Sequence, residues 1–325
     1  MAWLARLHGI VAPRARGTEA RKEQPGIAAG EYVPRCERRP IARTARSRPM
    51  SDRGVAYFGE RYGGEGPAPR FAQWNEVIEA LLGHRSVRRY APRPLPEGTL
   101  ELLVAAAQSA PSSSNLQLWS VLSVQDAERR RRLSELAGGQ AHVRDCGLFL
   151  VWLADLQRLG ELAKLRGVGH EGLDYLEMFV MAVVDAALAA QNALVAAESL
   201  GLGTVYIGAL RNHPEAVAAE LGLPPQVFAT FGLCVGWPDA ATPASIKPRL
   251  PQEVVLHREQ YGAFERSVGA LDAYDQLMER FYTKERMGVQ GSWSRHSAAR
   301  VESAQALRGR DRLRAALLAM GFRLQ

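Results

Sequence analysis

The sequence predicts a single sheet of four or five strands flanked by helices. Three observations lead there. Short apolar or alternating runs at 118–124, 146–153, 204–207 and 228–235 read as strands, and stretches with helical periodicity separate them. The strands are few, and no segment repeats. A hydrophobic fraction of 47% over 325 residues supplies enough apolar side chains for a sizeable core.

The domain is expected to start at residue 71. Residues 1–70 read as a disordered basic extension, too rich in Pro, Gly and Arg to form a core. The first fifty residues hold eleven basic and four acidic side chains, a net of +7 that equals the formal charge of the whole chain. The body is therefore neutral, which argues against a dedicated nucleic-acid domain. Arg6 and His8 interrupt the opening stretch, so it does not read as a secretory signal; an organellar transit segment is the lesser alternative, and Met50 stands as an alternative start. No run approaches the roughly eighteen apolar residues of a membrane span. Cys36, Cys146 and Cys234 are odd in number and widely separated. They fit a reducing, cytoplasmic setting better than a disulfide framework or a zinc site.

From residue 71 a helix is expected to 82, ended by Gly83 in the left-handed region. A second runs from Pro96 to the Ala110-Pro111 stop, with Leu100, Leu103, Val104 and Ala107 on one face. The hydroxyl-rich loop Ser112-Ser113-Ser114-Asn115 leads into the first strand. Helix 127–137 carries Arg129 to Arg132, which fan around the axis and read as a solvated face. After the Gly138-Gly139-Gln140 loop and the second strand comes the longest helix, 172–200. Its apolar side is nearly continuous through Leu176, Val180, Val183, Val184, Ala187, Leu188, Leu194 and Val195, and its alanines suit close packing against a twin. The third strand, a helix at 214–221 and the fourth strand follow. Helices at 271–282 and 295–320 complete the pattern.

Known catalytic motifs are missing. Gly201, Gly203 and Gly208 have the wrong spacing for a dinucleotide fingerprint, and there is no P-loop, no H-E-x-x-H and no G-x-S-x-G. His142, His170, His213 and His257 are isolated, so no metal site is indicated. The dense cluster is His84-Arg85-Ser86-Val87-Arg88-Arg89-Tyr90. Extended backbone would turn Arg85 and Val87 one way and His84, Ser86 and Arg88 the other. Guanidinium forks with imidazole and hydroxyl donors suit a phosphate; a basic surface turn is the alternative. Further polar segments at 112–117, 138–140, 206–211 and 247–249 would suit a ligand with a phosphate at one end and a flat heterocycle at the other.

These segments carry a resemblance. H-R-S-V-R-R-Y (84–90), S-S-S-N-L-Q (112–117), G-G-Q-A-H-V (138–143), the run A-A-Q-N to A-L-R-N (189–212), F-G-L-C-V-G-W-P (231–238) and K-P-R-L-P (247–251) occur in this order. The sequence resembles the FMN-dependent nitroreductase superfamily, in its oxygen-insensitive NADPH nitroreductase and NADPH-flavin oxidoreductase group. The resemblance implies an α+β fold, a three-layer α/β/α sandwich on a mainly antiparallel sheet. It implies a homodimer with FMN at the subunit interface. Hydride would pass from NADPH through FMN to nitroaromatics, quinones or free flavin in a ping-pong, two-electron reaction. An FMN-binding or storage protein is the alternative. No nucleic acid, membrane or catalytic acid or base is expected.

By the same resemblance His84, Arg85, Ser86 and Arg88 form the FMN clamp, joined by Lys247 and Arg249. Ser112, Ser113, Ser114, Asn115 and Gln117 would reach the partner's flavin. Gln140 would approach the ring, and Tyr206, Ile207, Gly208 and Ala209 would pass beneath it. Arg286 is the candidate for the NADPH 2′-phosphate. Two departures stand out: Ala209 adds a methyl where the family commonly has glycine, and Asn115 replaces a common aromatic. Gln191 and Asn192 are expected to bond within the core or a dimer contact.

Overall fold

A computed structural model describes residues 49–64, 71, 73–289 and 291–325. Its elements are α1 (Asp52–Tyr62), α2 (Glu76–Leu82), α3 (Thr99–Gln108), β1 (Trp119–Val124), α4 (Ala127–Leu136), α5 (Ala141–Asp145), β2 (Leu148–Asp155), α6 (Gln157–Leu165), α7 (Leu176–Ser199), β3 (Gly203–Ile207), α8 (Pro214–Leu221), β4 (Val227–Gly236), α9 (Gln252–Val255), α10 (Val268–Lys284), α11 (Trp293–Ala299) and α12 (Leu313–Ala319). The strands form one sheet in the order β1-β2-β4-β3, and each neighbouring pair is antiparallel.

Side-chain alternation along the two central strands divides the core. Phe149, Val151 and Cys234 point to one face, where Leu133, Val143, Leu210 and Val217 cover them. Leu148, Leu150, Trp152, Leu233 and Val235 point to the other, against Leu103, Ala107 and the alanines of α7. Helices thus lie on both faces of one sheet, and the expected α+β three-layer sandwich is the fold. A third cluster, built on Leu118, Phe228, Leu317 and Phe322, seats α12 at one end of the sheet.

Four expectations need correction. α1 lies inside the segment expected to be disordered; residues 1–48 and 65–70 of that segment lie outside the described residues. Its signals are plain once seen. Ser51 caps the first turn by accepting from Gly54 N at 2.9 Å, and Gly63 closes the last turn at φ 71°. Gly83 is not left-handed: it sits at φ −75°, and a side chain there would come within 2.6 Å of the Tyr57 ring. Close packing by α1, not backbone freedom, requires that glycine.

The expected helix 295–320 breaks into α11 and α12 because Arg308 and Gly309 turn left-handed, with Gly309 packed on the Asn212 carbonyl. The fourth correction concerns α7, which by length and a mean hydropathy of 1.7 could cross a membrane. Here its small face, Ala182, Ala186, Ala189, Ala190, Ala193 and Ala197, is buried in its own chain. Alanine lets the helix lie close to the sheet and α3, so those alanines are not free for a twin. The exposed stripe is Leu176, Val180, Val184 and Leu188.

The run Arg129 to Arg132 is less free than expected. Arg129 and Arg132 pair with Glu220, Arg131 with Glu128 and Glu135, and Arg130 donates to the Val124 and Cys146 carbonyls.

Candidate functional site

The 84–88 segment runs along the free side of β3. Val87 N donates to Thr204 O at 2.8 Å, and Ser86 bridges Thr204 in the parallel sense. Val87 is the anchor expected of it. It is buried against Gly203, where any side chain would approach it within 2.6 Å. Tyr90 closes the segment by donating its hydroxyl to Val87 O at 2.9 Å. Fixing Val87 inward leaves the polar neighbours at the surface.

There they meet the 247–249 segment. His84, Arg85, Ser86, Arg88, Lys247 and Arg249 line one cleft of about 350 Å³, walled further by Phe281, Glu285 and Met287. All six residues expected in the clamp therefore converge. Electrostatics mark the spot: burial, then the Arg88 and Arg249 guanidiniums, lower the Lys247 ammonium below its ordinary 10.5. Cations crowded this way suit an anion, which would relieve their mutual repulsion.

His84 is oriented from behind. Its Nδ1 lies 2.7 Å from Glu198 Oε1, which also accepts from Thr204 Oγ1 at 2.6 Å. With Nδ1 engaged by the carboxylate, Nε2 is the ring nitrogen left for a ligand. An adjoining cleft of about 260 Å³ shares Arg61, His84 and Arg249, is lined also by Glu198 and extends to Gln191. Tyr206 faces Gln191, with its hydroxyl 3.4 Å from Oε1, and stands edge-on to Phe231. Burial and then the Glu198 carboxylate raise the Tyr206 phenol, so it stays protonated.

After Tyr206 the chain turns inward. Ile207 is buried, and Ala209 packs on the same core cluster, so its methyl is spent on the protein interior. Gly208 lies under Arg211, whose guanidinium donates to Thr230 O. Gln140 turns back on its own turn: Nε2 donates to Ala137 O at 2.9 Å, and Oε1 lies 2.9 Å from His142 Nε2. His142 nevertheless places this turn near the clamp, because burial and then Arg88 lower its imidazole.

The serine loop lies elsewhere. It precedes β1, the far edge strand, three interstrand spacings or about 14 Å from β3. It is also at the other end of the sheet, since Trp119 pairs with Ala154 whereas Gly203 pairs with Gly236. The loop is wrapped around Asp185 of α7, which accepts from Ser112 Oγ at 2.7 Å, Ser113 N at 3.3 Å and Leu118 N at 3.1 Å. Ser114, Asn115 and Gln117 are left-handed and exposed. One chain cannot bring this loop to its own clamp.

Arg286 is exposed in a left-handed turn after α10, beside but not in the cleft wall. Asn192 donates to Ala106 O at 3.2 Å inside the chain, as expected, whereas Gln191 is exposed toward the cleft. Sequence reasoning missed Arg61 and Glu198. Glu198 lies within the 189–212 run, where nothing local marks it as the partner of His84. Arg61 was discarded with the N-terminal segment, although the Ser51-Asp52 start and the Gly63-Gly64 stop frame its helix.

Comparison with known proteins supplies the family. Residues 81–168 and 171–237 match the Nitroreductase family, and residues 247–325 match the Nitroreductase family C-terminal domain. The chain is 42% identical over 221 residues to the oxygen-insensitive NADPH nitroreductase of Salmonella typhimurium, covering 68% of this chain and 88% of that one. It is 41% identical over 230 residues to the FMN reductase [NAD(P)H] of Bacillus subtilis, covering 70% and 92%. Among solved structures, the NfrA1 nitroreductase from B. subtilis superimposes with a TM-score of 0.71 at 36% identity, over 76% of this chain and 99% of that one. A shared fold, family matches over most of the body and identity near 40% agree: the chain belongs to the nitroreductase family.

Proposed function

We propose that the protein is an NAD(P)H-dependent FMN oxidoreductase that reduces nitroaromatics, quinones or free flavin by electron pairs. The observation that carries the reading is the convergence of His84, Arg85, Ser86, Arg88, Lys247 and Arg249 on one cleft. The residues fit the group. A flavin phosphate would meet guanidinium forks, an ammonium and a hydroxyl, and the adjoining cleft toward Gln191 and Tyr206 leaves room for the ring. When bound, FMN supplies the redox chemistry, accepting a hydride from the nicotinamide and passing the electron pair to the acceptor.

The chain's own groups bind and orient. In this reading Lys247 faces the phosphate, and Arg88 holds positive charge where negative charge develops on reduction. Glu198 fixes His84, and Tyr206 bounds the ring side. Arg286 is the proposed contact for the NADPH 2′-phosphate. The serine loop serves a second subunit: the exposed α7 stripe of Leu176, Val180, Val184 and Leu188 is the proposed dimer face, bringing Ser112 to Gln117 of one subunit toward the clamp of the other. The decisive experiment is anaerobic. The purified protein should be yellow, bleach on NADPH addition and recover colour with a quinone or nitroaromatic. Colour that does not bleach with NADPH or NADH would leave a flavin-binding protein without turnover.

A further inference from the structure

The clamp is assembled from two stretches about 160 residues apart in sequence, and neither bonds the other's backbone directly through a strand. What joins them is Arg61, in the last turn of α1. Its Nη1 donates to Lys247 O at 2.8 Å, and its Nη2 donates to Leu82 O at 2.8 Å and His84 O at 2.6 Å. The main chain completes the tie, with Arg249 N donating to Arg61 O at 2.8 Å. A guanidinium is planar and rigid, so three carbonyls bound to one fork are held in a fixed mutual geometry.

The helix that delivers this group is firmly seated. Ser51 bonds Glu79 of α2, the Trp74 ring closes on Gly54, and the Tyr57 ring lies on Gly83 with Arg85 stacked 5.5 Å above it. Arg61 itself is only 5% exposed, and after burial its largest electrostatic influence is the like charge of Arg249. Burying a cation beside cations is unfavourable unless something needs it there. The family matches begin at residue 81, so α1 lies ahead of both.

We propose that α1 is a brace that the chain carries outside its family-matched region, and that Arg61 is a positioning residue for the phosphate end of the flavin. It acts by locking the Leu82, His84 and Lys247 carbonyls so that the clamp donors share one target. This rests on the reading that the cleft holds a flavin phosphate.

The test compares FMN with riboflavin, which has the same ring and no phosphate, in fluorescence titrations of the flavin-stripped full chain. Wild type should bind FMN much more tightly than riboflavin. Arg61→Met, which keeps the apolar stem, should lose about tenfold or more in FMN affinity while riboflavin affinity stays within about twofold. Arg53→Met, an exposed change on the same helix, should alter neither. A variant that weakens both flavins in equal proportion would overturn the proposal, because a merely structural role predicts that. If Arg61→Met does not fold, Arg61→Lys keeps the charge without the fork and is read in the same way; failure of both to fold also counts against it, since Arg61 would then support the whole domain. Wild type that shows no preference for FMN would instead sink the phosphate reading and this inference together.

Discussion

Two buried charges hold the two loops of the site, and they are satisfied in opposite ways. Asp185 is 2% exposed and its carboxylate is answered by a hydroxyl and two backbone N–H groups of its own chain. Arg61 is 5% exposed and is answered by three carbonyls, which bear no net charge; Arg249 and Arg85 repel it, and the Glu198 carboxylate only partly offsets them. The serine loop is therefore electrostatically complete without a ligand, and the clamp is not. Stored strain fits the same division. Left-handed Ser114 and Gln117 cost about 1 kcal/mol or more each, and the Asp185 hub holds them there. The clamp holds Arg88, Lys247 and Arg249 close together, and a bound anion would relieve that repulsion.

The largest expected effect breaks the complete half. Asp185→Asn puts an amide where donors already point and should cost about 3 kcal/mol in urea unfolding, with the loop released. Phosphate should not restore that loss. The next effect sharpens the contrast. FMN at a hundred times its Kd for wild type should stabilise wild type by about 2.7 kcal/mol, a rise in Tm of several degrees in thermal melts, and at that concentration Asp185→Asn should gain less, because its released loop no longer reaches the partner's flavin. Inorganic phosphate should give a smaller, salt-sensitive rise. An undiminished increment in Asp185→Asn would mean that the serine loop does not reach the partner's flavin.

Third in size is an alkaline effect on binding. Burial, Arg88 and Arg249 hold Lys247 below 10.5, so the folded chain releases this proton more readily than the unfolded chain. Between the lowered value and 10.5 the unfolded state binds more protons, and Lys247 thus contributes stability that increases as pH rises through that window. FMN affinity moves the other way, because the phosphate needs the ammonium charged. Titrations at increasing pH should show affinity falling before 10.5 is reached, and Lys247→Arg should move that fall to higher pH.

The strands and the chain order of elements were legible because β2 and β4 are continuous apolar runs and α7 is a long stretch apolar on most sides. The 84–88 half of the cleft stood out because its polar chemistry is concentrated in five positions, whereas Lys247 and Arg249 were joined to it only by the resemblance. What stayed hidden depended on tertiary packing. Nothing local distinguishes Gly83 as a seat for Tyr57 from Gly83 as a helix stop, and α7 has two apolar faces, of which the alanine side, not the leucine and valine stripe, proved the inner one. Arg61 was hidden for a different reason: a basic, glycine-flanked stretch has the composition of disorder, yet one side chain in it bonds three carbonyls.

The smallest expected effect concerns Ala209, where the family resemblance calls for glycine. Its methyl packs on the core cluster of Ile207, Leu210 and Val217. Ala209→Gly should therefore lose about 1 kcal/mol of stability, from one buried methyl and the added freedom of the unfolded chain. FMN affinity should stay within about twofold, since a difference of 1.4 kcal/mol would be needed for tenfold. Tighter FMN binding in the glycine variant would mean that the methyl stands between backbone and ring, and that the loop after Tyr206 turns toward the cleft when the flavin is bound.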